Sequence, residues 1–87
     1  MASHKRPEVE TRLARIEGHV RSIHRMLEDG RSYPEIVQQI SAVKAGLDSA
    51  VQVIVEDLVE DCVTKSGRSR SINEPMLELK EVIARSR

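Results

Sequence analysis

The sequence predicts an all-α fold of three helices, two of them long, and two observations support this fold class. Apolar residues recur at alternating steps of four and three in the first third of the chain, and the pattern resumes in the middle after a break at Asp29 and Gly30. Such spacing places apolar side chains on one face of a helix. The 87 residues also include one Tyr, no Phe and no Trp, so the core must consist of aliphatic side chains on helix faces.

The first helix is predicted over residues 7–29, after a flexible arm of residues 1–6. Pro7 suits a first helical turn, where its missing N–H has no intrahelical partner. Gly30 is a residue type that commonly ends a helix. The apolar stripe of this helix consists of Val9, Leu13, Ile16, Val20, Ile23 and Leu27.

The second helix is predicted over residues 34–65, with Pro34 in its first turn. The segment VQVIV at residues 51–55 has the β-branched composition of a strand. Helical spacing continues on both sides of this segment without a turn signal, so we predict a helix. The apolar residues that carry this spacing are Ile36, Ile40, Val43, Leu47, Val51, Ile54 and Leu58.

A short third helix is predicted over residues 74–85, after a Ser- and Arg-rich linker at residues 66–71. Asn73 is a favourable N-cap, and Pro75 suits the first turn. The apolar face would consist of Met76, Leu79, Val82 and Ile83. The three helices form one domain over residues 1–87.

Composition favours a self-associating cytoplasmic protein. Long helices without aromatic residues leave apolar stripes that another copy of the chain can cover. No apolar run approaches the about 18 residues of a membrane span, and the N-terminus lacks a secretory signal. The single cysteine, Cys62, cannot form an internal disulfide.

Basic side chains form a band beside the apolar stripe of the first helix. At about 100° per residue, Lys5, Arg12, Arg15 and His19 lie in one narrow sector. Cations at one-turn spacing can contact the phosphates of a nucleic acid, but such a band is also typical of a solvated helix face. The formal net charge is zero, from 14 basic and 14 acidic residues. Only the arrangement of the charges therefore favours nucleic acid.

Lys44 is unusual in the second helix. The helical wheel places it in the same direction as Val51, Val55 and Cys62, near the middle of the apolar face. It is either a lysine whose ammonium reaches out from the edge of an interface, or a cation that pairs with an acid or a phosphate.

The chain resembles the CsoR/RcnR/FrmR family of all-helical bacterial repressors in two segments, RLARIEGHVRSIHRMLEDG and QQISAVKAGLDSA. The resemblance covers about residues 8–63 without gaps. It implies antiparallel dimers that assemble into a disc-like homotetramer of four-helix bundles, without a helix-turn-helix. It also implies a repressor that binds operator DNA through basic residues and is released by an effector. Arg12 matches a family position implicated in DNA binding, and Lys44 stands where many members have a basic residue.

The effector site that this resemblance implies is incomplete. Copper-responsive members hold Cu(I) with a thiolate at the start of the second helix and a His-x-x-x-Cys from the partner subunit, soft donors that suit this ion. The corresponding residues here are Tyr33, Leu58 and Cys62. The resemblance therefore points to Cu(I) or another transition metal, while the missing ligands disfavour it, and no cofactor is assigned.

Two residues are left as candidate effector ligands. Cys62 is a small apolar residue at an interface, a reactive thiol, or the remnant of a metal site. His4 lies in an N-terminal arm, which supplies a ligand in the nickel- and cobalt-responsive members that the chain resembles.

Two functions of different classes are compatible with these features. The first is a DNA-binding transcriptional repressor whose effector site has diverged or been lost. The second is an oligomeric interaction protein that modulates a paralogous repressor by forming mixed tetramers, without binding DNA or metal itself. We do not expect an enzyme, because no nucleophile with its base and no paired-carboxylate site is recognisable.

Overall fold

The computed structural model describes residues 4–67 and 73–86. They form three helices: α1 spans Arg6–Glu28, α2 spans Tyr33–Gly67 and α3 spans Asn73–Arg85. No described residue lies in a β-strand, so the all-α prediction is confirmed. Residues 51–55 are helical because the helical spacing of the apolar residues around them outweighs a local strand preference.

The helix starts each lie one residue before the predicted position. α1 begins at Arg6 and therefore contains Pro7 in its first turn. α2 includes Tyr33, and α3 includes Asn73, the residue predicted to cap it. Differences of this size are usual at helix ends, where the hydrogen-bond pattern is incomplete.

The N-terminal residues that the structure describes do not form a free arm. His4 and Lys5 form a turn and contact acidic side chains of α2. Residues 1–3, the rest of the predicted arm, lie outside the described residues. The predicted linker at 66–71 starts within α2, and its remainder also lies outside the described residues.

The end of α1 is fixed by backbone hydrogen bonds around Gly30. Gly30 has a φ of 75°, a left-handed conformation that glycine adopts without steric cost. Its N–H donates to the carbonyl of Leu27 at 3.1 Å, and the N–H of Arg31 donates to the carbonyl of Met26 at 3.0 Å. These two bonds form a Schellman motif, which satisfies carbonyl groups in the last turn of the helix.

The start of α2 is fixed by a capping box between Ser32 and Glu35. The N–H of Glu35 donates to Oγ of Ser32 at 3.4 Å, and the N–H of Ser32 donates to Oε1 of Glu35 at 3.3 Å. Nη2 of Arg31 lies 2.6 Å from Oε2 of the same carboxylate. The hydrogen bond from Arg31, followed by those from Ser32, lowers the pKa of Glu35, and the hydrogen bond to Glu35 raises the pKa of Arg31.

α1 and α2 run antiparallel and share a small aliphatic core. Ile23 is buried with Ile36 and Val43, and Ile16 and Met26 pack against this cluster. These side chains come from the predicted apolar stripes and from the α1 face next to them. The core therefore lies along one side of each helix and is not enclosed.

α2 is the middle helix of a single layer. It contacts α1 and α3, whereas α1 and α3 do not contact each other in the part of the chain that the structure describes. The molecule measures 58 × 24 × 12 Å, and its smallest dimension is about the diameter of one helix. Its radius of gyration is 17.3 Å, compared with about 12 Å for a compact domain of this length.

Apolar side chains are exposed on both long helices. Leu13, Val20 and Leu27 of α1 are between 42% and 48% exposed. The exposed apolar residues of α2 include Val37, Ile40 and Leu47. The accessible area is 6684 Å², whereas a compact monomer of 9.8 kDa has about 5,200 Å². None of the helices in the described ranges is apolar enough along its length to span a membrane.

Candidate functional site

Two residues of the predicted basic band face α2 and have partners there. Arg12 is half-buried: its Nη1 donates to Oγ of Ser49 at 2.9 Å, and its Nη2 lies 3.3 Å from Oε2 of Glu8 on α1. His19 is also half-buried, and its Nε2 lies 2.7 Å from Oε1 of Gln39. Arg12 and His19 therefore connect α1 to α2 within one chain.

Lys5, at the N-terminal end of the band, also contacts α2. Its backbone N–H donates to Oδ2 of Asp57 at 3.4 Å. Its Nζ lies 3.5 Å from Oε2 of Glu60. The positive charge of Lys5 is therefore opposed by the carboxylate of Glu60, which reduces its attraction for a phosphate.

Arg15 and Lys44 are the predicted DNA-binding residues that remain exposed to solvent. Among the described residues, neither forms an ion pair. A Cβ added at Gly46 would lie 3.4 Å from Ile16, so the backbone of α2 lies close to α1 at this level. Arg15 and Lys44 each lie within one turn of that contact, and both are available to a ligand.

Tyr33, Leu58 and Cys62 are the three inherited effector positions, that is, the positions that correspond to the copper ligands of the family. They do not lie close together in one chain. Tyr33 is 75% exposed, whereas Leu58 and Cys62 are buried. Tyr33 and Leu58 lie on the same helix, and 25 residues of helix separate them by about 37 Å. Their phenol, alkyl and thiol groups also differ from the two thiolates and imidazole that suit Cu(I). These residues do not fit the copper site of the family that the chain resembles.

A different group of potential metal ligands lies between the N-terminal turn and α2. Nδ1 of His4 is 2.8 Å from Oδ1 of Asp57, and Nε2 of His4 is 2.7 Å from Oε1 of Glu60. His4 is exposed and Asp57 is buried. One ligand atom from each of the three residues lies within 4.8 Å of the other two.

Sequence reasoning identified His4 but not the two acidic residues beside it. Asp57 and Glu60 are three residues apart on α2, so they lie on the same side of that helix. Their spacing is a weak signal by itself, because acidic pairs are common on solvated helix faces. The contact with His4 arises only when α1 folds back antiparallel along α2.

A sequence model described as metal-sensitive transcriptional repressors matches residues 5–85, which include all three helices. The chain belongs to this repressor family. The match confirms the CsoR-like resemblance and the prediction that the protein is a transcriptional repressor and not an enzyme.

Individual relatives of this CsoR-like chain agree with the family match. The copper-sensing transcriptional repressor CsoR of Bacillus subtilis is 35% identical over 81 residues, which are 93% of this chain and 80% of that protein. The copper-sensing transcriptional repressor RicR of Mycobacterium tuberculosis is 38% identical over 55 residues, which are 63% of this chain and 57% of that protein. These relatives support the assignment of the chain to the CsoR-like, metal-sensitive repressors.

A solved structure supports the fold of the CsoR-like chain. The nickel-responsive transcriptional regulator InrS superposes with a TM-score of 0.80 at 32% sequence identity. The superposition covers 98% of this chain and 94% of the InrS chain. The three helices therefore have the arrangement of a CsoR-like repressor.

Proposed function

We propose that this chain is an oligomeric repressor that binds operator DNA in the bacterial cytoplasm and leaves it when an effector binds. The main support for the proposal is the family match, because the matched residues include all of α1, α2 and α3. We further propose that the effector is not Cu(I) held by the inherited positions.

The shape of the single chain supports the oligomer. A layer one helix thick cannot bury both sides of its helices. The apolar side chains of Leu13, Val20 and Leu27, which form a row along α1, are exposed. A second copy that contributes the same rows would cover them, as in an isologous dimer. Two such dimers would form the tetramer that the family resemblance implies.

Exposed cations support the DNA-binding surface. Arg15 and Lys44 can reach phosphates without first breaking an ion pair with the described residues. Arg12, His19 and Lys5 remain part of the proposed surface. Their direct contributions are smaller because Arg12 already contacts Ser49, His19 contacts Gln39 and Lys5 contacts Glu60. Each contact is repeated in every subunit of an oligomer, so a few cations per chain produce a large basic surface.

The DNA proposal is tested by fluorescence anisotropy with the DNA upstream of the gene. Arg15→Ala and Lys44→Ala should each weaken binding several-fold and make the dependence on salt concentration less steep, because fewer counterions are released on binding. Arg12→Ala should also weaken binding, and it should lower thermal stability because the hydrogen bond to Ser49 is lost.

Lys80→Ala is the matched control, since it removes the same charge from an exposed residue of α3. If it weakens binding as much as Arg15→Ala and Lys44→Ala do, the α1 and α2 surface is not the DNA contact. If the unaltered protein does not bind this DNA but forms mixed oligomers with a paralogous repressor, the second function, modulation of a paralogue, replaces the first.

The inherited positions should not form a tight Cu(I) site. Cys62 is buried and is the one thiol of the chain, whereas Tyr33 and Leu58 supply no soft donor. Titration with Cu(I) against a competing chelator should therefore show no tight one-to-one binding per subunit. Tight binding that Cys62→Ala abolishes would contradict this part of the proposal.

A further inference from the structure

Asp57 is a buried acidic residue, and one of its two carboxylate oxygens lacks a hydrogen bond. It is 6% exposed, and its Oδ1 has no hydrogen-bond partner. Its Oδ2 accepts a long bond of 3.4 Å from the backbone N–H of Lys5. A buried carboxylate is stable only when a cation or several donors stabilise it. A cation close to Oδ1 would therefore stabilise Asp57.

The imidazole of His4 lies at the place where that partner would be. Its Nδ1 is 2.8 Å from Oδ1 of Asp57, yet the contact lacks hydrogen-bond geometry. Two atoms that bind the same metal ion are also close together without a hydrogen bond between them. The lone pair of each atom is directed at the ion and not at the other atom. With metal–ligand bonds of about 2.1 Å, such atoms lie about 3.0–3.4 Å apart. A small opening of this contact therefore makes room for an ion.

Glu60 contacts Nε2, the other ring nitrogen of His4. Nε2 of His4 forms a hydrogen bond of 2.7 Å with Oε1 of Glu60. When Nε2 carries the proton, this bond orients the ring and leaves the lone pair of Nδ1 for a metal. A carboxylate in this position is the usual second partner of a metal-bound histidine.

We propose that Nδ1 of His4 and the carboxylate of Asp57 bind a divalent transition metal ion of the Zn²⁺, Co²⁺ or Ni²⁺ class, with Glu60 orienting the imidazole. Imidazole suits these ions, and carboxylate oxygen is a harder donor than the sulfur that Cu(I) prefers. Water molecules complete the coordination, because His4 is exposed. None of the three residues stands at a position of the family's copper site, which corresponds to Tyr33, Leu58 and Cys62 in this chain.

Metal binding at this site would fasten the N-terminal end of α1 to α2. His4 lies two residues before α1, and Asp57 lies in the C-terminal half of α2. The site therefore joins the two helices at the end of the hairpin opposite the turn at Gly30. Binding of the ion does not depend on DNA binding, so either proposal can fail without the other.

The test is a titration of the untagged, full-length protein with Zn²⁺, measured by calorimetry and by competition with a chromophoric chelator. The unaltered protein should bind the ion. His4→Ala and Asp57→Asn should each weaken binding by at least about tenfold, and Glu60→Gln by about tenfold, the usual effect of removing an orienting carboxylate. His24→Ala is the matched control, since this exposed histidine of α1 lies outside the site; its affinity should equal that of the unaltered protein.

Three outcomes would overturn the proposal: no binding of Zn²⁺, binding that His4→Ala leaves unchanged, or an equal loss in His24→Ala. Circular dichroism of each variant checks that the helices are retained, and His4→Ala keeps the test decisive if Asp57→Asn does not fold. Co²⁺ supplies an independent readout. Its complex should show d–d absorption without a thiolate-to-cobalt band, and a thiolate band that Cys62→Ser removes would assign the ion to Cys62 instead.

Discussion

Glu35 is a surface residue that organises the boundary between two helices. Its carboxylate accepts hydrogen bonds from the side chain of Arg31 and from the backbone and side chain of Ser32. The three residues lie within five positions of the chain, so the contacts require no distant part of the fold. The sequence signature S-x-x-E predicts this capping box, and only the arginine contact is additional to it.

The lowered pKa of Glu35 makes the stability of the protein depend on pH. Because the pKa is lower in the folded chain than in the unfolded one, the unfolded chain takes up a proton first as the pH falls. The stabilisation is therefore fully present above the ordinary pKa of 4.5 and is lost as the pH falls through the lowered folded value. We expect Glu35→Gln to be less stable at neutral pH and to lose less stability on acidification, as measured by urea unfolding at several pH values.

Glu81→Gln is the control for this measurement. Glu81 is exposed and pairs with Arg85 at 3.1 Å across one turn of α3, but it caps no helix. Its replacement should change stability little, because an exposed pair of this kind contributes little. A loss of stability in Glu35→Gln that is the same at pH 3 and at pH 7 would contradict the role assigned to its ionisation.

Arg12 and His19 show that the charge pattern of a sequence does not determine whether a basic side chain is exposed or contacts a neighbouring helix. The helical wheel correctly places them side by side, but it does not indicate what the neighbouring helix presents to them. Their partners, Ser49 and Gln39, are uncharged, so the balance of charges in the sequence gives no sign of the pairing. The sequence therefore does not distinguish an exposed cation from one that contacts a neighbouring helix. Of the five residues predicted to bind DNA, Arg15 and Lys44 are the exposed ones.

At the scale of helices, most of the structure follows from spacing and turn residues. The apolar periodicity predicts α1, α2 and α3, and Gly30 and Pro34 place the boundary between the two long helices to within about one residue. The periodicity also predicts that the β-branched segment at 51–55 stays helical. These predictions succeed because they depend on residues close together in the sequence.

The same spacing does not predict which residues of an apolar stripe pack against the neighbouring helix and which remain exposed. On α1, Ile16 and Ile23 pack toward α2, whereas Leu13, Val20 and Leu27 remain exposed. Both sets belong to one stripe on the helical wheel. Which set faces α2 depends on the rotation of α1 about its axis, and contacts with Ser49 and Gln39 contribute to that rotation. For the same reason, the approach of His4 to Asp57 could not be predicted.

At the scale of the molecule, the exposed apolar side chains of α1 and α2 support the proposed assembly. The chain exposes about 1,500 Å² more than a compact monomer of its mass. Each square ångström of apolar surface that is removed from water contributes about 25 cal/mol. Burial of the apolar part of this excess area would therefore favour the proposed association of two layers. The sequence, with one Tyr, no Phe and no Trp, also favours self-association.

We expect a tetramer at micromolar concentration and expect Val20→Glu to shift it toward smaller species, since the substitution places a charge in an apolar interface. Size-exclusion chromatography with light scattering measures the mass. Ser22→Glu adds the same charge at an exposed polar position of α1 and should leave the assembly unchanged. A compact monomer of 9.8 kDa for the unaltered protein would contradict the proposed assembly.

α1 ends just before Gly30 and α2 is capped by Ser32, so the two helices are joined by a short turn. From this arrangement we expect a particular order of events during folding. The first contacts between α1 and α2 join residues on either side of the turn, so they close a short loop, which takes about 10–100 ns for ten residues. In the proposed oligomer, the exposed apolar side chains of α1 are buried only when two chains associate. Refolding should therefore begin with a fast phase that is independent of protein concentration and end with a slower phase whose rate rises with it.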